Sequence, residues 1–574
     1  MCAARELEGA SCGNAAKRLR TAAAERPERL PLAATERLAP GQVKQLMGLR
    51  RQVGGTLEYH SRAQGLPSGP TSLSELASWP RLMVRDFVES QGGSARTNRL
   101  ASLLEHGLVV HTDCSGKMTP EAALATLDIA LRQNGVRLPQ DWLVLFRACD
   151  NSAMCQKFIM EAGHRPMHLF SGLLEKLPLK FQEKIVNMRP TASDDRTARA
   201  AAHKAIGDLL QANREMLYEL DPTAGNCLVH PGRRCARRWQ EANIPHAKRP
   251  ITIAIAGTPC RPFTLLSHHQ TMSHSDMEAW FLWAREVSTS NFDLVVLENS
   301  EHFVQDLLRE AMPPHYEIKH AIFGSQDQGW PVRRCRYYGV CVNRNSLAWT
   351  GPGEENVVED FLSLFGRACC LEGDVFFGLD SEATYEDLLV SMAHRRGMYP
   401  AADQVERLKK DWSALLPPVQ AQTLRALQSQ HAEGSRNGLA GGFAGDLSQS
   451  SERLRCGPWI PTLAQSTVMC SLSKNRLLTA DELDMCMGWP TIVTPDNAVY
   501  ASALGLGSSL EGASSMGRRR LAGNGMMMPQ VMAWMLYIAS HAVRKDRLEG
   551  LRLPLLLATV CDKAAESVDD SEDD

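Results

Sequence analysis

The sequence predicts an α/β fold: a doubly wound, mostly parallel, Rossmann-like sheet with helices on both faces, joined by a smaller second domain. Three observations predict it. Short apolar runs rich in β-branched residues recur at Leu108–Val110, Trp142–Phe146, Ile251–Ala256 and Phe292–Leu297, the mark of buried strands. Helical patterns lie between them, the alternation that makes parallel sheets. Residues 343–474 then lose this rhythm and read as a separate piece.

The totals bound the rest. A chain of 574 residues has room for roughly three to five domains. It is 44% hydrophobic and 22% charged with a net charge of −2, which excludes a wholesale basic coat and leaves nucleic-acid contact to local patches. No apolar run reaches the ~18 residues of a membrane span. The 16 cysteines are scattered with no Cys-x-x-Cys pair, so reduced thiols and no metal are expected.

Taken in order, residues 1–42 read as a mobile leader, within which Lys17–Arg20 is either a nuclear-import patch or a solvated charge cluster. Residues 43–106 read as a helical extension, with pieces at Leu73–Glu89 and Asn98–Glu105. Leu108–Val110 runs into the polar turn His111–Gly116, and Thr119-Pro120-Glu121 opens a helix with Thr119 as cap. A strand, a Gly-containing turn and a helix start make a place for a small polar ligand. Trp142–Phe146 leads to Cys149-Asp150, an acid placed either to meet ribose hydroxyls or to cap the next helix.

The central stretch is Gly257–Thr264, where Cys260 stands between Pro259 and Pro262 at a strand end. Open α/β sheets bind ligands at that edge. Cys260 is then a nucleophile, and a buried structural thiol is the competing reading. Glu298 ends the next strand, 38 residues on. Arg334 and Arg336 share one face if extended, and their forks suit a carboxylate or a base edge. Just upstream, Arg233, Arg234, Arg237, Arg238, Lys248 and Arg249 surround Trp239, either a path for a phosphate backbone or a solvated face. Order returns at Asn475–Pro490 and at Gly523–Pro529, before an apolar helix over Gln530–Val543 and an acidic tail. The boundaries are 107–342 for the core, 343–474 for the smaller domain, 475–545 for the rest of the core and 546–574 for the tail.

In this order the blocks resemble the cytosine-5 DNA methyltransferase family. Gly257–Thr264 is similar to its Pro-Cys loop, Glu298-Asn299-Ser300 to its Glu-Asn-Val block, and Gly329–Val340 to its Arg-x-Arg block. Asn475–Pro490 and Gly523–Gln530 are similar to its closing elements. Thr112–Gly116 is similar to its first cofactor loop, although Cys114-Ser115-Gly116-Lys117-Met118 replaces Phe-x-Gly-x-Gly. The resemblance implies S-adenosylmethionine as methyl donor, held by Cys114, Ser115, Gly116, Asp150, Pro259 and Asn524, with no metal. It implies Cys260 as nucleophile, Glu298 at the cytosine N3 edge, Arg334 orienting Glu298 and Arg336 holding the base. Residues 343–474 take the target-recognition position, with Arg395, Arg396, Lys409 and Lys410 available for DNA. The implied substrate is DNA in the nucleus. A tRNA cytosine-5 methyltransferase, which would also fit the cytoplasm, and a silent nucleic-acid-binding homologue share these features. An NAD-dependent oxidoreductase would need a glycine-rich fingerprint that the first loop lacks.

Overall fold

A computed structural model describes residues 65–548 except 192, 220–222, 240–243, 246–247, 265–270, 437–443, 452–453, 455 and 507–513. These fall within one compact unit, Arg62–Asp574. The leader, Lys17–Arg20 and nearly all of the acidic tail lie outside the described residues.

Seven strands form the central sheet: β1 Leu108–Asp113, β2 Leu143–Cys149, β3 His168–Phe170, β4 Ile251–Ala256, β5 Leu294–Ser300, β6 Tyr316–Gly324 and β7 Cys335–Asn343. Their order is β3-β2-β1-β4-β5-β7-β6. Strands β1 to β5 pair in parallel, and β7 runs antiparallel between β5 and β6. The order reverses between β1 and β4, so the carboxyl ends of these two strands flank a crevice. The expected doubly wound sheet is therefore present.

Alternation along each strand builds two cores, because successive side chains point to opposite faces. Ile251, Ile253, Ile255, Leu294 and Val296 join one apolar cluster with helices Trp79–Glu89, Gly93–Leu103, Thr119–Gln133 and Met528–His541. Ala254, Ala256, Val295 and Leu297 join the other with helices Met277–Thr289 and Gln305–Ala311. Helix Met528–His541 is apolar nearly all round and almost wholly buried, as expected of a helix enclosed by its neighbours. It packs beside Thr119–Gln133, so the end of the chain completes the core begun near residue 119.

Several local expectations shift. The Leu73–Glu89 piece is two helices, Leu73–Ala77 and Trp79–Glu89, divided at Ser78. Met118, not Thr119, occupies the N-cap position of the helix that follows the first loop, and no side chain caps it. Residues 343–474 hold helices Glu382–His394, Ala402–Lys410 and Pro418–Arg436, whose apolar faces meet around Leu389, Trp412 and Leu427 in a cluster of their own. No described helix is long and apolar enough to cross a membrane.

A buried carboxylate fastens β4 to β5. Asp293 accepts hydrogen bonds from Thr252 N at 2.8 Å, Thr252 Oγ1 at 2.9 Å and Arg249 at 2.7 Å. Asp293→Ala strips all three donors of this acceptor. We expect a loss of about 3 kcal/mol in chemical denaturation.

Candidate active site

The site begins where β4 stops. Gly257-Thr258-Pro259-Cys260 leaves the carboxyl end of the strand, and a single 3-10 turn, Arg261–Phe263, follows. Phe263 N donates to Cys260 O at 3.0 Å, and the Phe263 ring packs on Phe303 at 4.9 Å. Asn299 pins the other end of the loop. Its Nδ2 donates to Thr258 O at 3.2 Å and to Thr258 Oγ1 at 3.0 Å. Pro259 and Cys260 remain half-exposed on this fixed loop.

Glu298 lies one residue before that clamp and is buried. Parallel pairing sets Ala256 beside Leu297, which brings Glu298 against Gly257. A Cβ on Gly257 would stand 3.5 Å from Glu298 Oε2, an ordinary contact, and 2.8 Å from Met526 Cε, the end of a flexible side chain. Arg336 Nε lies 3.2 Å from Glu298 Oε1. The antiparallel register places Ser300 opposite Arg336 and Glu298 opposite Tyr338, so Arg336 reaches Glu298 diagonally along one face.

This reverses one expectation. Arg334 does not orient Glu298; its guanidinium donates to Gly525 O at 2.7 Å and to Leu463 O at 3.4 Å. Burial lowers its pKa to about 10, Arg336 pushes the same way, and Glu298 and Cys260 oppose both. Arg336, expected to hold the base, is the residue that pairs with the carboxylate.

The first loop runs from Asp113 to Met118. Cys114, Gly116 and Met118 all take left-handed backbone, with φ of 51°, 54° and 57°. Ser115 N donates to Cys149 O at 3.1 Å, and Gly116 N donates to Asp150 Oδ2 at 2.8 Å. Asp150 Oδ1 accepts from Ser152 N at 2.9 Å, and burial raises the pKa of this carboxyl group. Asp150 thus anchors the first loop directly. Only Asn524 O, at 3.7 Å, would meet a Cβ on Gly116. Asn524 therefore faces the first loop through its backbone, while Met526 O accepts from Thr119 Oγ1 at 3.3 Å.

Two buried charge groups underlie the loop. Lys117 Nζ lies 2.6 Å from Asp484 and over the Trp489 ring at 4.5 Å. Arg147 reaches Asp113 at 2.8 Å and Glu286 at 2.6 Å, and Lys176 reaches Asp113 at 2.8 Å and also pairs with Glu286. Despite burial, Arg147 and Lys176 hold the Glu286 pKa far below the usual carboxylate range. Neither group was foreseen. The signal was an arginine inside an apolar strand, which demands an acidic partner.

The proposed basic patches are partly consumed. Arg237 is buried and donates to Lys176 O at 2.6 Å and to Leu217 O at 2.5 Å; Arg249 is held by Asp293. Arg233 and Lys248 are exposed. In the smaller region Lys409 pairs with Glu386 at 2.9 Å and Glu406 at 2.8 Å, and Arg396 donates to Leu416 O. Arg395 and Lys410 are exposed.

Two outcomes test this geometry. Asn299→Ala leaves the buried Thr258 carbonyl without its donor, a cost of about 1–3 kcal/mol, and frees the loop. Iodoacetamide should then alkylate Cys260 faster than in the parent, as read by peptide mass spectrometry. Glu121, buried beneath Thr112, has its pKa raised to about 7, chiefly by burial. An acid whose folded pKa is raised costs stability as pH climbs from its unfolded value near 4.5 through about 7, because the unfolded chain gives up the proton first. Glu121→Gln should therefore raise the melting temperature at pH 8 and leave it nearly unchanged at pH 4.5. The difference is at most about 3 kcal/mol.

No family model and no curated protein matches the sequence. Among solved structures, the chain is similar to a Schizosaccharomyces pombe Dnmt2 methyltransferase, at 10% identity and a TM-score of 0.34 over 75% of this chain and 98% of that one. It is similar to a variant of Spodoptera frugiperda DNMT2 at 11% identity and a TM-score of 0.33, covering 75% and 99%. It is similar to a putative DNA modification methyltransferase encoded within an Escherichia coli prophage at 13% identity and a TM-score of 0.33, covering 75% and 98%.

Proposed function

We propose that the chain methylates carbon-5 of a flipped-out cytosine in DNA through a covalent bond from Cys260 Sγ to C6 of the base. One observation supports this above the rest. At the carboxyl edge of the sheet, the clamped Cys260 loop adjoins a buried carboxylate, Glu298, that is ion-paired with Arg336.

The residues fit a nucleoside methyl donor. Gly116 has an open face towards Asn524 O. Each Asp150 oxygen accepts one backbone N–H, Cys155 donates to the same carboxylate, and of its roughly four acceptor sites one is left for a ribose hydroxyl. Cys114, Ser115, Gly116, Asp150, Pro259 and Asn524 would line that place, and S-adenosylmethionine, when bound there, supplies an electrophilic methyl group.

The chain's own residues do the remaining work. Carbon-5 of cytosine is a weak nucleophile, and addition of Cys260 Sγ to C6 turns the ring into an enamine that is reactive at C5. Covalent addition replaces one hard step with easier ones: once C5 is methylated, it loses its proton to solvent and the C6–S bond breaks, restoring the ring double bond and freeing Cys260. Glu298 meets the N3 edge and shares a proton with it as charge builds during attack. Arg336 fixes the carboxylate, and Asn299 holds the sulfur's loop so that attack carries little orientational cost. A base stacked inside a duplex cannot reach such a pocket, so it enters extrahelically. Residues 343–474 would grip the flanking nucleic acid.

The test is trapping with S-adenosylmethionine and a duplex bearing 5-fluorocytosine, whose fluorine blocks release. We expect a denaturant-stable adduct that is absent in Cys260→Ala. Arg336→Ala should form it at least about tenfold more slowly, equivalent to roughly 1.4 kcal/mol. Adduct on tRNA alone would reassign the substrate. No adduct on either nucleic acid, together with no binding of the donor by calorimetry, would overturn the reading in favour of a silent binder.

A further inference from the structure

Away from the carboxyl edge, four metal-binding side chains converge at the outer strand of the sheet. His168 opens β3. Cys227, His230 and Cys235 follow on one segment, spaced Cys-x2-His-x4-Cys. Their ligand atoms all lie within 4.8 Å of one another. Cys227 Sγ is 3.9 Å from His168 Nδ1 and 3.6 Å from His230 Nδ1, and Cys235 Sγ is 3.4 Å from His230 Nδ1. A tetrahedral zinc ion, with bonds of about 2.3 Å to sulfur and 2.0 Å to nitrogen, sets neighbouring sulfur and nitrogen ligands about 3.5 Å apart. These three sulfur–nitrogen distances are close to that edge length.

We propose that His168, Cys227, His230 and Cys235 form a structural zinc site that fastens the 227–235 segment to the free edge of β3. Two thiolates and two imidazoles select zinc over magnesium or calcium, which prefer oxygen. A set of four protein ligands fills the coordination sphere and leaves no position for substrate, so the role is structural. The absence of a Cys-x-x-Cys pair hid the site, because one member of the close pair is histidine and the fourth ligand lies 59 residues upstream of Cys227.

The segment has clear work to do there. Leu228 N donates to Leu169 O at 2.8 Å, and Cys227 bridges Phe170 in antiparallel fashion, so it covers a strand edge that would otherwise offer unpaired backbone groups. Two residues past Cys235, Arg237 grips Lys176 O, and Lys176 in turn pairs with Asp113 at the base of the first loop. Trp239 N donates to His111 Nε2 at 3.2 Å, tying the same segment to β1.

The test is metal content and cobalt spectroscopy on the full chain, purified under reducing conditions without a histidine tag. Elemental analysis should find one zinc per chain, lost in Cys227→Ser, Cys235→Ser and His168→Ala, and kept in Cys370→Ser, which alters an exposed thiol elsewhere. Cobalt in place of zinc should give a thiolate charge-transfer band and intense tetrahedral d–d bands. A folded parent with no bound metal would overturn the proposal. So would a weak, octahedral cobalt spectrum, or a Cys227–Cys235 disulfide in metal-free protein. Should the ligand variants fail to fold, the parent's zinc content and cobalt spectrum still decide.

Discussion

One buried guanidinium sets the geometry of the carboxyl edge. Arg334 donates to the carbonyls of Leu463 and Gly525, which lie 129 and 191 residues further along the chain. With its pKa lowered only to about 10, it stays charged at neutral pH, so both carbonyls face a full cation in a dry environment, where such bonds are strong. Gly525 sits between Asn524, which faces Gly116, and Met526, which touches Gly257 and Thr119. A single side chain on the β7 side thereby keeps the closing segment against both loops of the crevice. Beside it, Arg336 pairs with Glu298, so both arginines of this block are engaged within the edge itself.

Much of this was legible locally. Ile251–Ala256 reads as a strand because both its faces are buried, and a continuous apolar run results. Strand β6, Tyr316–Gly324, has no apolar run to mark it, because Glu317, Lys319 and His320 interrupt its apolar residues; it lies at the sheet edge, where one side is open. The candidate site residues rest on the family resemblance of their motifs, and no sequence pattern could give their pairings. Two arginines on one face are equivalent in sequence, and only the register of β5 against β7 decides that Arg336 meets Glu298. Arg237 belongs to a basic cluster in sequence, but its bonds to the Lys176 and Leu217 carbonyls take it out of that patch.

The first loop shows how a departure from a glycine pattern can be accommodated. Met118 stands where the resembled family has its second glycine, yet it keeps a left-handed φ of 57°. Such a conformation costs a non-glycine residue of order 1 kcal/mol and persists only where neighbours enforce it. Here Lys117 is locked to Asp484, Ser115 to Cys149 and Gly116 to Asp150. Hydrogen bonds and an ion pair thus hold Met118 in a backbone conformation that glycine would adopt freely.

The ring of Arg147, Asp113, Lys176 and Glu286 has a consequence for how the molecule comes apart. Its members belong to β1, β2, the turn at Leu174–Lys176 and helix Met277–Thr289, with Arg147 and Glu286 separated by 139 residues. Any one of these segments leaving alone would strand an uncompensated charge in apolar surroundings. Partial opening at this point is therefore penalised more heavily than opening of all four segments together. Strands β1 and β2 are thereby bound through their charges to the Leu174–Lys176 turn and to helix Met277–Thr289, and these four segments part together rather than one at a time.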